Sequence, residues 1–315
     1  MAEYRKGNII LKEISKEDEE VFIVFEKRYK DACKGEVIPY SLNPKNLSFS
    51  DFLSELEKCK HVETLPQGFV LAKYYLIYVN GCIVGGINLR YQDNDFILNH
   101  AGHIGYGIAP WERNKGYAKG ALKKVLIEAK NLGMDKCLLT TDLDNIASQS
   151  VILSCGGVFE KTVEDKKHYW ISLGEWKKEE SAMAVVFYHN KILATQEIIY
   201  GKEVLSCPKG HIEPNETHIE TAIRECFEET NVVLTKEDFI AEIDSYTIQF
   251  VDHHNNFISK TIYPICFSIN QKGTPLSKEE RILSIAYMYI DDFLKNCSYD
   301  NVKNIVKNSL QKIEV

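Results

Sequence analysis

The sequence predicts an α/β (α+β) protein built from two domains. Its 315 residues suit two domains of ordinary size better than one. Each half contains a glycine-containing loop that leads into an amphipathic helix. A charged stretch with a glycine, residues 173–180, lies between the two halves. We therefore expect a first domain at residues 1–175 and a second at residues 181–315.

Composition narrows the class of protein. Hydrophobic residues make up 44% of the chain and charged residues 26%, as in soluble globular proteins. The net charge of −7 argues against general binding to nucleic acid or to an anionic membrane. No apolar run is long enough to span a bilayer, and the polar N-terminal segment is unlike a signal peptide. Nine scattered cysteines indicate free thiols in a reducing cytoplasm, so we expect a cytoplasmic protein.

The second domain contains the strongest chemical signal, a group of acidic residues on a helix predicted at residues 218–230. With an advance of about 100° per residue, Glu228 and Glu229 fall within about 60° of Glu225. Apolar residues fill the adjacent arc, which puts these carboxylates at the edge of a buried stripe. Like charges this close destabilise a helix by a few tenths of a kcal/mol per pair. A hard divalent cation such as Mg²⁺, shared with a substrate phosphate, would reverse that effect.

The spacing around these carboxylates resembles the Nudix box of the Nudix hydrolases. The pattern Gly-x5-Glu-x7-Arg-Glu-apolar-x-Glu-Glu-x-Gly-apolar is matched at Gly210, Glu216, Arg224, Glu225, Glu228, Glu229 and Val232. Cys226 stands at the first apolar position and acts there as a small hydrophobic residue. Asn231 replaces the last glycine, and its tolerance of left-handed backbone suits the C-cap of a helix.

This resemblance implies an α/β/α sandwich that hydrolyses a nucleoside diphosphate linked to another group, with Mg²⁺ or Mn²⁺. The implied metal ligands, which are also the implied catalytic residues, are Glu225, Glu228 and Glu229. One of them, or a further acid such as Glu279 or Glu280, would activate water. The residues implied to support the site are Gly210, Glu216 and Arg224. Among these, we expect Arg224 to pair with Glu216 and hold the preceding loop against the helix.

The segment that enters the box resembles more narrowly the diadenosine tetraphosphate hydrolases. The similarity rests on Pro208-Lys209-Gly210-His211 and on the Glu213-Pro214-x-Glu216 that follows. Those enzymes often carry a tryptophan where this chain has Leu205. Tyr246 and Phe250 either stack on a nucleotide base or fill the core, and their apolar surroundings favour the core.

In the first domain, a basic loop with a glycine connects a predicted strand, residues 104–108, to a predicted helix that ends at Gly133. Free backbone N–H groups and the positive end of the helix dipole suit an anion at the start of such a helix. Gly116 would let the backbone approach a phosphate closely. By itself the pattern fits an ordinary turn equally well.

The order of motifs here resembles the GNAT N-acetyltransferases. Arg113-x-x-Gly116-x-Ala118 is similar to their acetyl-CoA pyrophosphate loop, and a strand followed by an Asn-x-x-Ser segment comes next. The resemblance implies a GNAT-like mixed sheet with helices, and transfer of an acetyl group from acetyl-CoA to an amine. The implied cofactor-binding residues are Ile108, Arg113, Asn114, Lys115, Gly116, Tyr117, Ala118 and Asn145.

One departure bears on the chemistry of this half. Ile152 stands where many GNAT enzymes have a tyrosine that protonates the leaving thiolate. Alternative acid or base groups near the predicted strand are His100, His103, Tyr106 and Glu112, although a histidine beside a glycine in a strand is more often structural. Two hypotheses follow: a bifunctional enzyme, or one catalytic domain joined to a nucleotide or CoA sensor. Both predict small-molecule partners, namely a nucleoside diphosphate derivative and an amine acceptor.

Overall fold

A computed structural model of the chain describes residues 8–33, 42–43, 45–199, 202–276 and 279–313. The chain divides into two compact units, Met1–Glu175 with Phe250–Phe257, and Trp176–Gln249 with Ile258–Val315. Both units combine helices with sheets, in agreement with the predicted fold class. The polar N-terminal segment, residues 1–7, lies outside the described residues. None of the described helices is both long enough and apolar enough to cross a bilayer.

The first unit contains seven strands and four α-helices within the described residues. The strands are β1 (Ile9–Glu13), β2 (Ala72–Val79), β3 (Cys82–Arg90), β4 (Ile104–Ile108), β5 (Lys136–Asp142), β6 (Val158–Val163) and β7 (Lys166–Ser172). The helices are α1 (Glu19–Cys33), α2 (Phe49–Lys58), α3 (Tyr117–Asn131) and α4 (Ile146–Ser154). Antiparallel pairing gives one sheet of order β1-β2-β3-β4 and a second of order β5-β7-β6.

Strands β4 and β5 belong to different sheets but meet at one point. The backbone N–H of His103, just before β4, donates to the carbonyl of Leu138 at 2.7 Å. The N–H of Leu138 donates back to Nδ1 of His103 at 2.8 Å. Further along, a cavity of about 290 Å³ is lined by residues of both strands, among them Tyr106 and Thr141. The two strands therefore open a wedge between the sheets.

The second unit contains the remaining elements, except that the end of β13 and the first residue of β14 fall in the Phe250–Phe257 segment of the first unit. Its strands are β8 (Lys177–Tyr188), β9 (Lys191–Ile199), β10 (Lys202–Ser206), β11 (Lys209–His211), β12 (Phe239–Glu242), β13 (Tyr246–Val251), β14 (Phe257–Ser268) and β15 (Ile282–Tyr289). Its helices are α5 (His218–Thr230), α6 (Ile290–Asn296) and α7 (Asp300–Ile313). The main sheet has the order β10-β9-β8-β14-β12, with β11 paired to β8, β13 to β14 and β15 to β9.

Strands β8 and β9 form a hairpin that turns at His189 and Asn190. Strand β8 begins at Lys177, inside the charged stretch that we expected to lie between the two domains. Residues 177–180 pair in parallel with β14. Their charged side chains resemble a linker, but the backbone hydrogen bonds of a strand do not depend on side-chain polarity.

Alternate residues of β8 build the two halves of the core. Ala182, Ala184 and Val186 face a cluster that includes Ala222 and Cys226 of α5. Met183, Val185 and Phe187 face a second cluster, formed with α6 and α7 around residues such as Phe293 and Val306. Because successive side chains of a strand point to opposite faces, one buried strand holds helices on both sides. The unit is therefore the predicted α/β/α sandwich.

Candidate functional site

Helix α5 carries the acidic residues that the sequence singles out, and both of its ends are capped. Thr217 Oγ1 accepts the backbone N–H of Glu220 at 3.2 Å, and the Glu220 carboxylate accepts the backbone N–H of Thr217 at 3.1 Å. At the other end Asn231 has φ of 58°, which confirms the predicted left-handed C-cap. The caps fix the helix at His218–Thr230 and so fix which residues share its acidic face.

The three predicted metal ligands differ in burial. Glu229 is 3% exposed and Glu225 is 9% exposed. The side chain of Glu228 is 50% exposed. Two carboxylates thus lie inside the protein, where an unpaired charge is costly, and the third lies at the surface beside them.

Arg224 ties the acidic face of α5 to the loop before it. Its Nε and Nη2 donate to the two carboxylate oxygens of Glu216 at 2.7 and 2.9 Å, which is the pairing that the sequence predicts. Its Nη1 donates to Glu225 at 2.8 Å and to Glu228 at 3.0 Å. Nη2 also donates to the carbonyl of His211 at 2.9 Å. One guanidinium therefore orients three carboxylates and a strand end.

Glu229 lies in a different environment, against β11. Its Oε1 accepts a hydrogen bond from Arg281 Nη2 at 2.6 Å, and its Oε2 accepts the backbone N–H of Lys209 at 3.3 Å. Burial raises the pKa of Glu229 to about 7, although the positive charges of Lys209 and Arg281 oppose that rise. This carboxyl group therefore exchanges its proton near neutral pH.

The structure adds a third buried acid, Glu197 of β9, which the sequence did not single out. Glu197 is 3% exposed and accepts hydrogen bonds from Lys209 Nζ at 2.9 Å and Arg281 Nη1 at 2.7 Å. Glu197 is the one acid of a strand that is mostly buried, and this was the signal present in the sequence. Arg281 also pairs with Glu279 at 2.5 Å, so that predicted acid is linked to the cluster through Arg281. Glu280 is exposed.

Gly210 of β11 lies directly under Glu225. A Cβ atom added at Gly210 would lie 1.9 Å from the carboxyl carbon of Glu225. The strand also pairs with Ala182 of β8, which holds the backbone in place. The absence of a side chain at this position is what lets the Glu225 carboxylate lie over the strand.

The donor chemistry of this cluster suits a divalent cation. Within the described part of the chain, no three acidic, histidine or cysteine side chains already converge as a metal site. Instead, Arg224 and Arg281 supply positive charge to Glu225, Glu228 and Glu229. All three predicted ligands offer carboxylate oxygens, the donors that Mg²⁺ and Mn²⁺ prefer. A cation fits if the carboxylates exchange hydrogen bonds with the two guanidinium groups for bonds to the metal.

Acid is expected to weaken the contact between Arg224 and Glu216. Hydrogen bonds from the Arg224 guanidinium lower the pKa of Glu216 from 4.5 to about 2. Because the folded-state pKa is depressed, the stabilisation is complete above the unfolded-state value and is lost as the pH falls from about 4.5 towards about 2. The pair is partly exposed, so screening limits its contribution to roughly 1 kcal/mol. Urea unfolding of the parent and of Glu216→Gln should differ at neutral pH and converge in acid, whereas a gap that is constant with pH would contradict this account.

In the first unit, a cleft of about 780 Å³ collects most of the residues predicted to bind a cofactor. Those that line it are Ile108, Arg113, Asn114, Gly116, Tyr117, Ala118 and Asn145. Lys115 instead forms an ion pair with Glu112, with Nζ 2.9 Å from Oε2. The cleft thus joins the end of β4 to the starts of α3 and α4.

The loop before α3 has the geometry of an anion-binding turn. Gly116, the N-cap of α3, has φ of 77°, a conformation that disfavours any residue with a Cβ atom. Arg113 Nε donates to the carbonyl of Ile108 at 3.3 Å, which ties the loop to the end of β4. The first residues of α3, Tyr117 and Ala118, line the cleft, and backbone N–H groups of a first helical turn have no partner within the helix. This end of the cleft suits a phosphate group.

Asn145 and Tyr106 also line the cleft. Asn145 Oδ1 accepts the backbone N–H of Ser148 at 3.0 Å and so caps α4. The Tyr106 hydroxyl lies 3.0 Å from Ser148 Oγ. Burial raises the pKa of Tyr106 to about 12, so its hydroxyl stays protonated at neutral pH. Ile152 is 1% exposed and packs inside the unit.

The other acid or base groups suggested by the sequence have different surroundings. His103 is buried, and its Nε2 lies 2.7 Å from Asp93 while its Nδ1 bonds the backbone of β5. Burial lowers its pKa, so His103 serves as a neutral link between sheets. His100 is exposed, with Nδ1 3.9 Å from Glu164. Glu112 is held by Lys115, as described above.

Comparison with protein families gives two matches. Residues 177–308 match the NUDIX domain, and residues 45–156 match the acetyltransferase (GNAT) family. The first range contains the carboxylate cluster on α5, and the second contains the loop before α3. The two ranges do not overlap.

The individual relatives described here each match only part of this chain. The phosphatase NudJ of Escherichia coli strain K12 is 37% identical over 65 residues, which is 21% of this chain and 42% of NudJ. The chain thus spans less than half the length of the curated relatives it matches. The match to a Caenorhabditis elegans Ap4A hydrolase structure covers 43% of this chain and 97% of the hydrolase chain, with 18% identity and a TM-score of 0.35. The match to the Escherichia coli dihydroneopterin triphosphate pyrophosphohydrolase structure covers 44% of this chain and 99% of the pyrophosphohydrolase chain, with 15% identity and a TM-score of 0.37.

Proposed function

Given that this chain carries a GNAT acetyltransferase domain followed by a NUDIX domain, we propose that it is a bifunctional enzyme with one active site in each domain. The domains would be residues 1–175 and 181–315. The first would transfer an acetyl group from acetyl-CoA to an amine. The second would hydrolyse a nucleoside diphosphate-linked substrate with Mg²⁺ or Mn²⁺. The observation that carries the proposal is the pair of buried carboxylates, Glu225 and Glu229, on one face of α5.

In the second domain, Glu225, Glu228 and Glu229 would hold the cation. When bound, the metal would neutralise phosphate charge and orient the attacking water. Glu229 is also the candidate proton acceptor, because burial raises its pKa to about 7 when no cation is bound. A bound cation would lower that pKa, since a nearby positive charge favours the carboxylate. Arg224 and Gly210 would act indirectly, since they orient the carboxylates.

The nature of the leaving group is a narrower proposal. The segment Pro208-Lys209-Gly210-His211, with the Glu213-Pro214 that follows, supports a dinucleoside polyphosphate substrate. Leu205, in place of a tryptophan, weighs against it. Tyr246 packs on the core formed with α6 and α7, so it supports the fold and is unsuited to stacking on a base.

A substrate panel tests this half of the proposal. The full-length protein would be incubated with Mg²⁺ and, in turn, dinucleoside tetraphosphates, nucleotide sugars, ADP-ribose, nucleoside triphosphates and CoA. We expect hydrolysis at a phosphoanhydride bond, dependent on the metal and abolished by EDTA. An absence of turnover on every member would reject the hydrolase assignment.

In the first domain, the loop at residues 113–118 would bind the pyrophosphate of acetyl-CoA, and the end of β4 at Ile108 would bind its pantetheine arm. The amine would attack the thioester carbonyl within the wedge between β4 and β5. Tyr106 is suited to donate a hydrogen bond or a proton to the leaving sulfur, because it is protonated at neutral pH and lines the cleft.

Replacing Arg113 with glutamine is expected to weaken acetyl-CoA binding about tenfold. A charge-assisted hydrogen bond to phosphate contributes about 1.5–3 kcal/mol, and the amide retains only the neutral part of it. Isothermal titration calorimetry measures the change, with Lys16→Gln on the exposed surface as the charge-matched control. Equal affinity of Arg113→Gln and the parent for acetyl-CoA would show that Arg113 does not contribute to the binding site.

One observation favours a second candidate function. Ile152, a buried aliphatic residue, stands where the resemblance calls for a proton-donating tyrosine. In this alternative the first domain binds acetyl-CoA as a sensor, and only the second domain is catalytic. The sensor hypothesis would be supported if calorimetry detects acetyl-CoA binding while no amine of a test panel gives an N-acetylated product. Product formation that Tyr106→Phe lowers by about 10²-fold would support the enzyme.

A further inference from the structure

A second cavity in the first unit, of about 630 Å³, lies among α2, residues 68–70 and strands β2 to β4. Its volume is within the range of small-molecule sites. Tyr106 lines both this cavity and the cleft that suits acetyl-CoA. A molecule bound in the cavity would therefore meet the acetyl donor at Tyr106.

Asn88 of β3 provides a polar anchor in the wall of this cavity. Its side chain is buried, with 4% exposure, and its Oδ1 has no hydrogen-bond partner. It pairs with Tyr74 of β2 on one side and with Gly105 of β4 on the other, and all three residues line the cavity. A buried acceptor without a partner favours a ligand that brings a hydrogen-bond donor. An amine nitrogen is such a donor.

The rest of the wall is mainly apolar. Six of its side chains are Leu56, Phe69, Val70, Phe96, Ile97 and Ile104. Phe69 is 49% exposed and Phe96 is 59% exposed, so two large aromatic rings next to the cavity remain in contact with water. Exposed apolar surface beside a cavity favours an apolar ligand.

The charged side chains of the wall disfavour a ligand with several positive charges. Glu55 is the acidic member of the wall, and Lys45 pairs with it at 3.2 Å. Arg90 donates to the carbonyl of Gly102 at 3.1 Å. Lys166 also lines the wall. Because Glu55, the acid among these lining residues, is already paired with Lys45, the wall cannot match a polyamine or an aminoglycoside by charge.

We propose that this cavity binds the acetyl acceptor, a primary amine carried on an apolar, aromatic or branched body, with its N–H donating to Asn88 Oδ1. This inference rests on the acetyl transfer proposed above. In the reaction, the amine nitrogen forms a bond to the acetyl carbonyl carbon and the carbon–sulfur bond breaks. The proton lost by the nitrogen balances the one taken up by the sulfur, so the products are an N-acetylamine and the CoA thiol.

The test compares amines and variants of the full-length protein. The probes are 2-phenylethylamine, spermidine and kanamycin, each with acetyl-CoA. We expect 2-phenylethylamine to have the highest kcat/KM, by about tenfold or more. Asn88→Leu should raise its KM by about tenfold while the Kd for acetyl-CoA stays unchanged, whereas Asn88→Asp, which keeps an acceptor oxygen, should retain most of the affinity. The matched control is Asn131→Leu, at the exposed end of α3.

Three results would overturn the inference: equal kcat/KM for spermidine, an unchanged KM in Asn88→Leu, or no binding of 2-phenylethylamine by calorimetry. If Asn88→Leu does not fold, Phe69→Ala at an exposed position provides the second variant, and an unchanged KM there would also count against the site. Separate titrations distinguish the two proposals. If the parent protein does not bind acetyl-CoA, the proposed acetyl transfer is rejected. Binding of the amine alone that depends on Asn88 would still support the cavity as the amine site.

Discussion

Replacing Glu229 with glutamine is expected to lower the hydrolytic kcat/KM by on the order of 10²-fold or more. Glutamine has nearly the same shape but carries no negative charge and cannot accept a proton near neutral pH. It therefore removes a proposed ligand and the proposed proton acceptor together. The measurement is steady-state hydrolysis, with Mg²⁺, of whichever substrate the panel identifies. Glu237→Gln, at an exposed position outside the cluster, serves as the matched control.

Stability should change in the opposite direction, which separates lost chemistry from lost fold. Burial raises the pKa of Glu229 from 4.5 to about 7, so the folded state favours the protonated form. The stability that this group contributes is present below about 4.5 and is lost as the pH rises through about 7. A shift of this size corresponds to about 3 kcal/mol. Glu229→Gln should therefore unfold at a higher urea concentration than the parent in mild alkali. Full hydrolytic activity in this variant would show that Glu229 takes no part in the reaction.

Replacing Gly210 with alanine is expected to reduce hydrolysis by about 10–100-fold with only a modest loss of stability. The new Cβ would lie 1.9 Å from the carboxyl carbon of Glu225, so one of the two groups must move. Backbone pairing with β8 holds the strand, whereas a carboxylate is the free end of a flexible side chain. Glu225 is then the group that moves, and it leaves its contact with Arg224.

The control for this substitution is Gly174→Ala, because a Cβ atom there meets nothing within 4 Å. Thermal unfolding and Mg²⁺-dependent hydrolysis should both match the parent in that variant. If Gly210→Ala kept full hydrolysis, the position of the Glu225 carboxylate would not matter for the reaction. A large loss of stability without loss of activity in the folded fraction would lead to the same conclusion.

The local sequence pattern was sufficient to predict several features of the second unit. The bounds of α5, its left-handed end at Asn231 and the pairing of Arg224 with Glu216 were all predictable. Each depends on residues within about one or two helical turns, where spacing determines geometry. The start of β8 was not predictable, because its first residues are held by a distant strand through the backbone alone.

The roles of Glu197 and Arg281, by contrast, could not be predicted from local sequence pattern. The two residues lie far from α5 in sequence, yet Arg281 bonds both Glu197 and Glu229. Only the pairing of β9 with β15 brings them together. That pairing also sets the pKa of Glu229, since burial depends on what the fold places around a residue.

By itself, the sequence determined the order of the two domains, the helix that bears the acids and the loop that suits a phosphate. These are short-range properties, set by residue type at helical or turn spacing. Only the tertiary structure decided which carboxylates are buried, which guanidinium groups hold them and where Asn88 leaves an oxygen without a partner. Those properties arise from strands and helices that are distant in the chain, and the free energy of a buried polar group depends on the partners that folding brings to it.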